Sequence, residues 1–454
     1  MHRYASEAEF LRDISSVLVG IYLTAALLNF GAAYYWWGQR RRRERDWPRL
    51  AALGWLLVAL LFCALLVLAA GGEPGRIRWI SFSPAFRGLV DRMMGPVVLV
   101  VGAAVMLGVF YRFRGFLTHP LVAWCGLNLS LLFLGFSMPD ADFAAIVMKP
   151  DHVPIVGLIY LLAFFTWLAT RKAVLNDDLL GGGGGPREAA ETERVLVWPD
   201  LVYIELICMV GLMVLMLVWS IAVKAPLEAE ASTVVTPNPS KAPWYFLGLQ
   251  ELLLYFDPWM AGVVLPCLII FGLCAIPYVD GNTKGSGYYT IEQRPLAYLT
   301  FQFGFLVLWI LLMLIGTFFR GPNWSFFGFF ETWDVHKVAE LNNVSLAKRF
   351  WIDLLNRPLP APAGRVGVLT QLGYIAWREV AGFVLLAGYF IASPLLLARY
   401  SKKFGAYRRQ VGGGRYLITV LLMLMMLLLP IKMICRWSFN LNYFLSIPEF
   451  SLNF

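Results

Sequence analysis

Long apolar runs alternate along the chain with short polar breaks, and many runs exceed the roughly 20 residues that a helix needs to cross about 30 Å of hydrocarbon. The pattern predicts ten transmembrane helices, at approximately 14–37, 49–71, 93–111, 121–138, 154–170, 200–223, 259–277, 299–319, 378–398 and 416–434. The first run, Ile14 to about Trp37, is too long for a signal-peptide core and lacks a small-residue cleavage site, so it reads as a retained span.

Charge then orients the spans. The loop after the first helix holds Arg40, Arg41, Arg42, Arg43, Arg45 and Arg49, and the loop before the last holds Arg399, Lys402, Lys403, Arg408, Arg409 and Arg415. Both are cytoplasmic under the positive-inside rule. Ten spans put them on one side, together with Arg112, Arg114, Arg171 and Lys172. The expected fold class is therefore an all-α polytopic membrane protein of about ten transmembrane helices, with both termini on the outer, positive side. The loops 72–92, 139–153, 224–258 and 320–377 face that side too.

Composition agrees: 59% of residues are hydrophobic and 15% charged, against about 25% charged in ordinary soluble domains. The net charge of +9 sits in the orienting loops and not along a soluble face, so it points to a membrane and away from nucleic acid. The expected location is the bacterial cytoplasmic (inner) membrane, with lipid as a neighbour of most helices.

Gly181 to Gly185, followed by Pro186 and a charged run, reads as a flexible linker. It divides the chain into a five-helix bundle, 1–175, a cytoplasmic linker, 176–197, and a second half. The second half comprises a domain at 198–320, an outer-face segment at 321–377, and two further helices with a tail at 378–454. Halves with an odd number of spans insert with opposite topology, as in inverted-repeat transporters, but no sequence repeat relates them.

Ionisable residues at membrane depth are costly and usually functional, and the spans hold few. Glu205 lies about one turn into the sixth helix, while Glu379 and Lys432 lie close enough to span ends to reach the interface. Asn29, Asn128 and Gln302 suit interhelical hydrogen bonds. A coupled pump needs acids or bases near the midplane, so a transporter is the weaker reading. His2, His119, His152 and His336 all sit in loops or at helix ends, so two bis-histidine haems cannot be built inside this chain. The six cysteines, Cys63, Cys125, Cys208, Cys267, Cys274 and Cys435, form no Cys-x-x-Cys pair and read as small core residues. No metal site is expected.

The most informative loop joins the sixth and seventh helices on the outer face. Pro237, Pro239 and Pro243 forbid a helix until about Trp244, after which Tyr245 to Phe256 forms a short one, ended by Asp257 and Pro258. Helical spacing places Trp244, Gly248, Glu251 and Tyr255 on one face. A lone acid, two aromatics and a glycine leaving room beside them suit a pocket for a flat ring. From spacing alone they suit better an interfacial helix whose acid faces water and whose aromatics form the usual belt.

Here the sequence resembles a family. Trp198-Pro-Asp-Leu201, Ala225-Pro-Leu-Glu228, Pro237-Asn-Pro-Ser-Lys-Ala-Pro-Trp-Tyr-Phe246, Pro266 and Pro277-Tyr-Val-Asp280 look like the C-terminal half of cytochrome b, which is the separate subunit IV in photosynthetic cytochrome bf complexes. The likeness covers residues 198 to about 320. It implies a subunit of a bc-like quinol oxidoreductase with a quinol-oxidising site on the positive side. Pro243, Trp244, Tyr245, Gly248 and Tyr255 would then contact the quinone. The family pattern Pro-Glu-Trp-Tyr meets Ala242-Pro243-Trp244-Tyr245 here, so Pro243 stands where the family has its proton-accepting glutamate. Glu251, two helical turns on, is the available substitute, a carboxylate partly withdrawn from water and within reach of a quinol proton.

The resemblance also implies partners. Residues 1–175 lack the family's four haem-ligating histidines, so haem b is expected in a partner of the cytochrome b N-terminal type. Electrons would pass to a Rieske-type iron-sulfur protein or a cytochrome c. The segment Phe319 to Arg365 suits docking of an extrinsic partner, or a cover on the membrane surface. A scaffold that keeps the fold without quinol chemistry is the alternative that the Pro243 departure permits.

Overall fold

The computed structural model describes residues 6–39, 47–191, 194–222, 230–282, 289–338, 344–362, 364, 367–450 and 452–454. The arginine run 40–45, His2 and the Ala225-Pro-Leu-Glu228 motif lie outside the described residues. Among the described residues nine helices are long and apolar enough to cross a membrane. In chain order these are the first span Glu7–Gln39, the second Trp47–Ala69, the fourth Pro120–Ser137, the fifth His152–Gly181, the sixth Val197–Ala222, the seventh Met260–Val279, the eighth Pro295–Phe319, the ninth Val380–Tyr400 and the tenth Gly413–Phe439. The third is a broken pair, Pro84–Met93 and Pro96–Arg112, bent by 83°. Each of the ten expected runs thus meets a helix, and the chain is an all-α polytopic membrane protein. Proline opens several of them: Pro96, Pro120 and Pro295 each begin a helix where a missing N–H leaves no hydrogen bond unmade. The break at Met94 and Gly95 precedes one of these prolines, which keeps the residue before it out of the helical region.

Two compact units divide the chain by contact and not by order alone. One holds residues 1–87, 113–237 and 286–292, and the other 88–112, 238–285 and 293–454. The helix Pro96–Arg112 therefore groups with the later spans, across the boundary at 175 that the linker suggested.

In the first unit, Leu11, Ile14, Leu18, Tyr22, Ala25 and Asn29 recur at helical spacing along the buried stripe of the first span. The second span answers with Ala52, Ala59 and Ala69, small residues that let the helices approach, between the buried rings of Trp55 and Phe62. Ser15 donates to the carbonyl of Ala69 at 2.7 Å. Asn29 donates to Asn128 Oδ1 at 2.5 Å and accepts from Trp124 Nε1 at 3.1 Å, so these two asparagines do bond between helices. The Tyr22 ring lies over Gly135, where a Cβ would come within 2.6 Å of it.

The fifth span runs past its expected end near 170 and through the start of the expected linker, to Gly181. The glycine run closes it: Gly184 N–H donates to Leu179 and Gly183 N–H to Leu180, with Gly183 at φ 79°. This is the left-handed cap that glycine adopts without strain. Asp177, buried near that end, accepts the backbone N–H groups of Ile291 and Glu292 at 3.1–3.2 Å. No residue of the sixth span is buried among the described residues.

In the second unit, the helix Pro96–Arg112 and the seventh span pack on the tenth, and the eighth packs on Pro96–Arg112. After the tenth span the chain folds back as two short strand pairs. Val344–Ser345 lies beside Leu441–Tyr443, and Ser446–Ile447 beside Leu452–Asn453. Arg378 clasps Glu449 at 2.7 and 3.0 Å and bonds Glu379, whose other oxygen accepts Ser446 N–H at 3.1 Å. Glu379 and Lys432 do not reach the interface as expected: both are buried, because this tail closes over them. The cysteines also depart from expectation. Cys125, Cys208, Cys267 and Cys274 are exposed on the chain's surface, where a thiol faces hydrocarbon as readily as a core.

Two outcomes follow from this packing. Gly135→Val drives side-chain carbons into Tyr22 and should destabilise the first unit by about 1–3 kcal/mol, read as a lower unfolding midpoint. Arg378 holds the Glu449 carboxyl below its ordinary value of 4.5. The clasp is therefore fully present above that value and is lost as pH falls through the lower folded one. Amide exchange over 446–450, corrected for intrinsic rate, should quicken on acidification in the native chain and lose that pH dependence in Glu449→Gln.

Candidate functional site at the outer loop

The loop between the sixth and seventh spans is stapled before its helix begins. Gln250 donates to the carbonyl of Ser240 and accepts from Ala242 N–H, both at 2.8 Å. Lys241 reaches the carbonyl of Thr317 at 2.8 Å, and Asn238 pairs with Asn323 at 2.7 and 2.9 Å. Pro243, extended at ψ 146°, ends the straight stretch. Trp244–Phe246 then forms a 3-10 turn, Leu247–Leu252 an α-helix, and the chain turns through Phe256 to Asp257 and Pro258.

That initial 3-10 turn changes the expected face. A 3-10 turn advances about 120° per residue against about 100° in an α-helix, so Trp244 rotates away from Gly248, Glu251 and Tyr255. Trp244, Tyr245 and Phe246 are exposed, packed edge to face or tilted on one another, with ring centroids 5.7 and 4.7 Å apart. Gly248, Glu251 and Tyr255 are buried together. The room expected beside Gly248 is filled: a Cβ there would meet Met313 at 3.2 Å and the Trp309 carbonyl at 3.7 Å. Gly248 serves close packing on the eighth span, and a flat ring does not enter there in this conformation.

Glu251 is neither partly exposed nor facing water; it is 0% exposed, as are Arg320 and Tyr255. Its Oε1 accepts Arg320 Nη2 at 2.5 Å and the Tyr255 hydroxyl at 3.0 Å. Its Oε2 accepts Arg320 Nε at 2.9 Å and Trp324 Nε1 at 3.2 Å. This is a two-pronged guanidinium–carboxylate pair, the strong form of charge-assisted hydrogen bond. Tyr255 accepts in turn from Trp437 Nε1 at 3.0 Å. The guanidinium is sandwiched by Phe326 and Trp437, 5.9 and 5.2 Å from their ring centres.

Burial alone would pull the Arg320 guanidinium down, but Glu251 beside it prevails and holds it above its usual value. Burial, reinforced by the Glu251 charge, pushes the Tyr255 phenol well up, so it stays a neutral donor.

Local geometry at the end of the eighth span delivers Arg320. Gly321 N–H donates to Ser325, Phe327 N–H to Phe319, and Arg320 bridges Phe326, so the chain doubles back at once. Asn323 and Trp324 both take φ 56°, a region that costs a bulky residue of order 1–3 kcal/mol. The Trp324 carbonyl accepts Arg320 Nη1 at 2.9 Å while its indole reaches Glu251, which offsets that strain.

Arg320, Trp324 and Trp437 were not legible as site residues. Glu251 and Arg320 are 69 positions apart, and the available signal was a single cation closing an apolar run opposite a single acid. Among the described residues no three His, Cys, Asp or Glu side chains converge as metal ligands would.

Residues 230–333 match the family described as cytochrome b (C-terminal)/b6/petD. The match takes in the stapled loop, the seventh and eighth spans and the Arg320 turn, so the chain carries a C-terminal cytochrome b-type domain fused to extra helices. No solved structure matches the chain.

Removing one member of a buried pair strands the other. Arg320→Met should therefore cost about 3–5 kcal/mol, and the double change with Glu251→Leu should recover most of it. Unfolding midpoints of the assembled chain in detergent test this; equal losses in single and double variants would show that the pair is not coupled.

Proposed function

We propose that this chain is a membrane subunit of a bc-type electron-transfer complex, and that its outer loop forms part of a site where quinol is oxidised. The cytochrome b C-terminal-type domain supports the membership. The observation that carries the site is an exposed Trp244–Tyr245 pair on the same short loop as the buried carboxylate Glu251. Oxidation of a quinol releases two electrons and two protons, so the site needs a surface for the ring and a group that takes a proton.

In this reading the quinol ring lies against Trp244 and Tyr245, with Pro243 fixing the start of the turn that presents them. Glu251 takes one of the two protons when Arg320 releases one prong of its pair, the other passing to water on the outer side, and Tyr255 holds the carboxylate in place meanwhile. Gly248 contributes close packing and no contact with the ring. Electrons leave to partner subunits, a Rieske-type iron-sulfur protein or a cytochrome c, with haem b carried by a cytochrome b N-terminal-type partner. The arginine-rich loops support the reading that this loop faces the positive side of a bacterial cytoplasmic membrane.

A second reading has its own observation. The Glu251 oxygens already accept four donors, as a purely structural carboxylate would, which makes the chain a scaffold within the same complex.

Quinol oxidation by the tagged, purified complex separates the two. Glu251→Gln should lower turnover by about 10²-fold or more, the usual worth of a positioned base. Trp244→Ala should chiefly raise the quinol KM. Both comparisons are made at matched assembly and haem content. Unchanged kinetics in both variants would establish the scaffold and move quinol chemistry elsewhere in the complex.

A further inference from the structure

Lys432 is the charge that the proposed site does not use. It lies in the tenth span, is 1% exposed, and its ammonium has no hydrogen-bond partner among the described residues. Such a group is costly at membrane depth and calls for an explanation. Around it stand four aromatic rings: Phe256 at 4.5 Å, Phe444 at 5.4 Å, Tyr443 at 5.7 Å and Phe454 at 5.8 Å. Distances of this order to ring centres are those of cation–π attraction, which strengthens when the cation is desolvated.

The origin of the rings is informative. Phe256 belongs to the turn that ends the site helix, one residue after Tyr255, whereas Tyr443, Phe444 and Phe454 all come from the tail. The tail is also tied to that turn by Asn453 Nδ2, which donates to Asp257 at 2.6 Å, and by packing of Phe454 on Phe256 at 6.4 Å. Phe444 joins the apolar cluster that contains Tyr255, and Trp437 and Phe454 pack against it. Phe444 and Leu445 N–H groups both donate to the Phe454 carbonyl, so the described part of the tail closes on itself as one piece.

We propose that the described C-terminal segment, residues 441–450 and 452–454, is a cover over the Glu251–Arg320 pair, held shut by Lys432 as a cation–π latch. Closed, it keeps water from the pair, so the charges attract in a low-dielectric surrounding. Opened, it exposes the turn at Tyr255 and gives Arg320 room to release Glu251. That last consequence rests on the reading of Glu251 as a proton acceptor; the latch itself does not.

Hydrogen–deuterium exchange on the assembled complex tests the latch without any turnover measurement. Lys432→Met keeps the length and apolar stem and removes the charge, whereas Lys432→Arg keeps a cation. Lys432→Met should quicken exchange at Phe444, Leu445, Ser446 and Phe454, and at Leu254 and Tyr255, by tenfold or more. The seventh span, Met260–Val279, should stay at its native rate. Lys432→Arg should stay within a few-fold of native. Phe454→Leu, which removes one ring at smaller risk to folding, should give an intermediate increase confined to the same amides. Native exchange in the tail of Lys432→Met would overturn the proposal. So would an equal loosening of the seventh span, or an Arg variant as fast as the Met one. Should the latch behave as expected while Glu251→Gln keeps full quinol turnover, the cover stands and the proton-acceptor reading alone falls.

Discussion

The second unit is organised around one ion pair. Two full charges, Glu251 and Arg320, are withdrawn wholly from water, and such a pair is tolerable only if its geometry is good and its remaining donors and acceptors are met. The surrounding structure supplies those conditions piece by piece. Tyr255 and Trp324 fill the remaining acceptor sites of the carboxylate, the Trp324 carbonyl takes the third prong of the guanidinium, and Phe326 and Trp437 cover its faces. The left-handed backbone at Asn323 and Trp324 is strain that these bonds sustain. Because the donors come from the outer loop, the eighth span's exit and the tenth span, the pair joins three stretches of chain that no local propensity would bring together.

The same constraint shapes the tail. Lys432 and Arg436 lie within one turn of each other on the tenth span and are both buried, and the tail answers the first with aromatic faces, beside the charge of Asp257. An ammonium among rings gains attraction from several quadrupoles at once. Arg378, Glu379 and Glu449 fix the opposite edge of the tail by ordinary ion pairing nearer the surface. The cover over the site is thus attached at one edge by charge pairs and at the other by a cation on rings.

The contrast between the two units is also one of chemistry. The first unit is held by small residues and neutral polar contacts, such as Asn29 with Asn128 and Ser15 with Ala69, beside two buried carboxylates, Asp140 and Asp177, that accept backbone N–H groups. The second withdraws a whole ion pair, Glu251 with Arg320, from water. In a membrane, neutral contacts suffice to fix helix pairs, whereas buried ionisable groups mark places where charge is used, and all of the residues proposed for chemistry lie in the second unit.

The ten apolar runs and the short outer helix between Pro243 and Asp257 were legible in the sequence, because each depends on hydrophobic length or on a local backbone restriction. So was the position of the loop holding Trp244, Tyr245 and Glu251, between the sixth and seventh spans. What the sequence did not determine was which residues Glu251 meets. A 3-10 first turn rotated Trp244 outward, Met313 filled the space at Gly248, and Arg320 arrived from 69 positions away. Nor did it show that Lys432 is enclosed, since a cation two residues from the expected span end at 434 reads as one that reaches the interface until the tail folds over it. Hydrophobic pattern specifies where the chain enters the membrane, because that free energy adds up residue by residue. The partner of a buried charge is decided by tertiary structure alone, because it depends on distances between segments that no local pattern encodes.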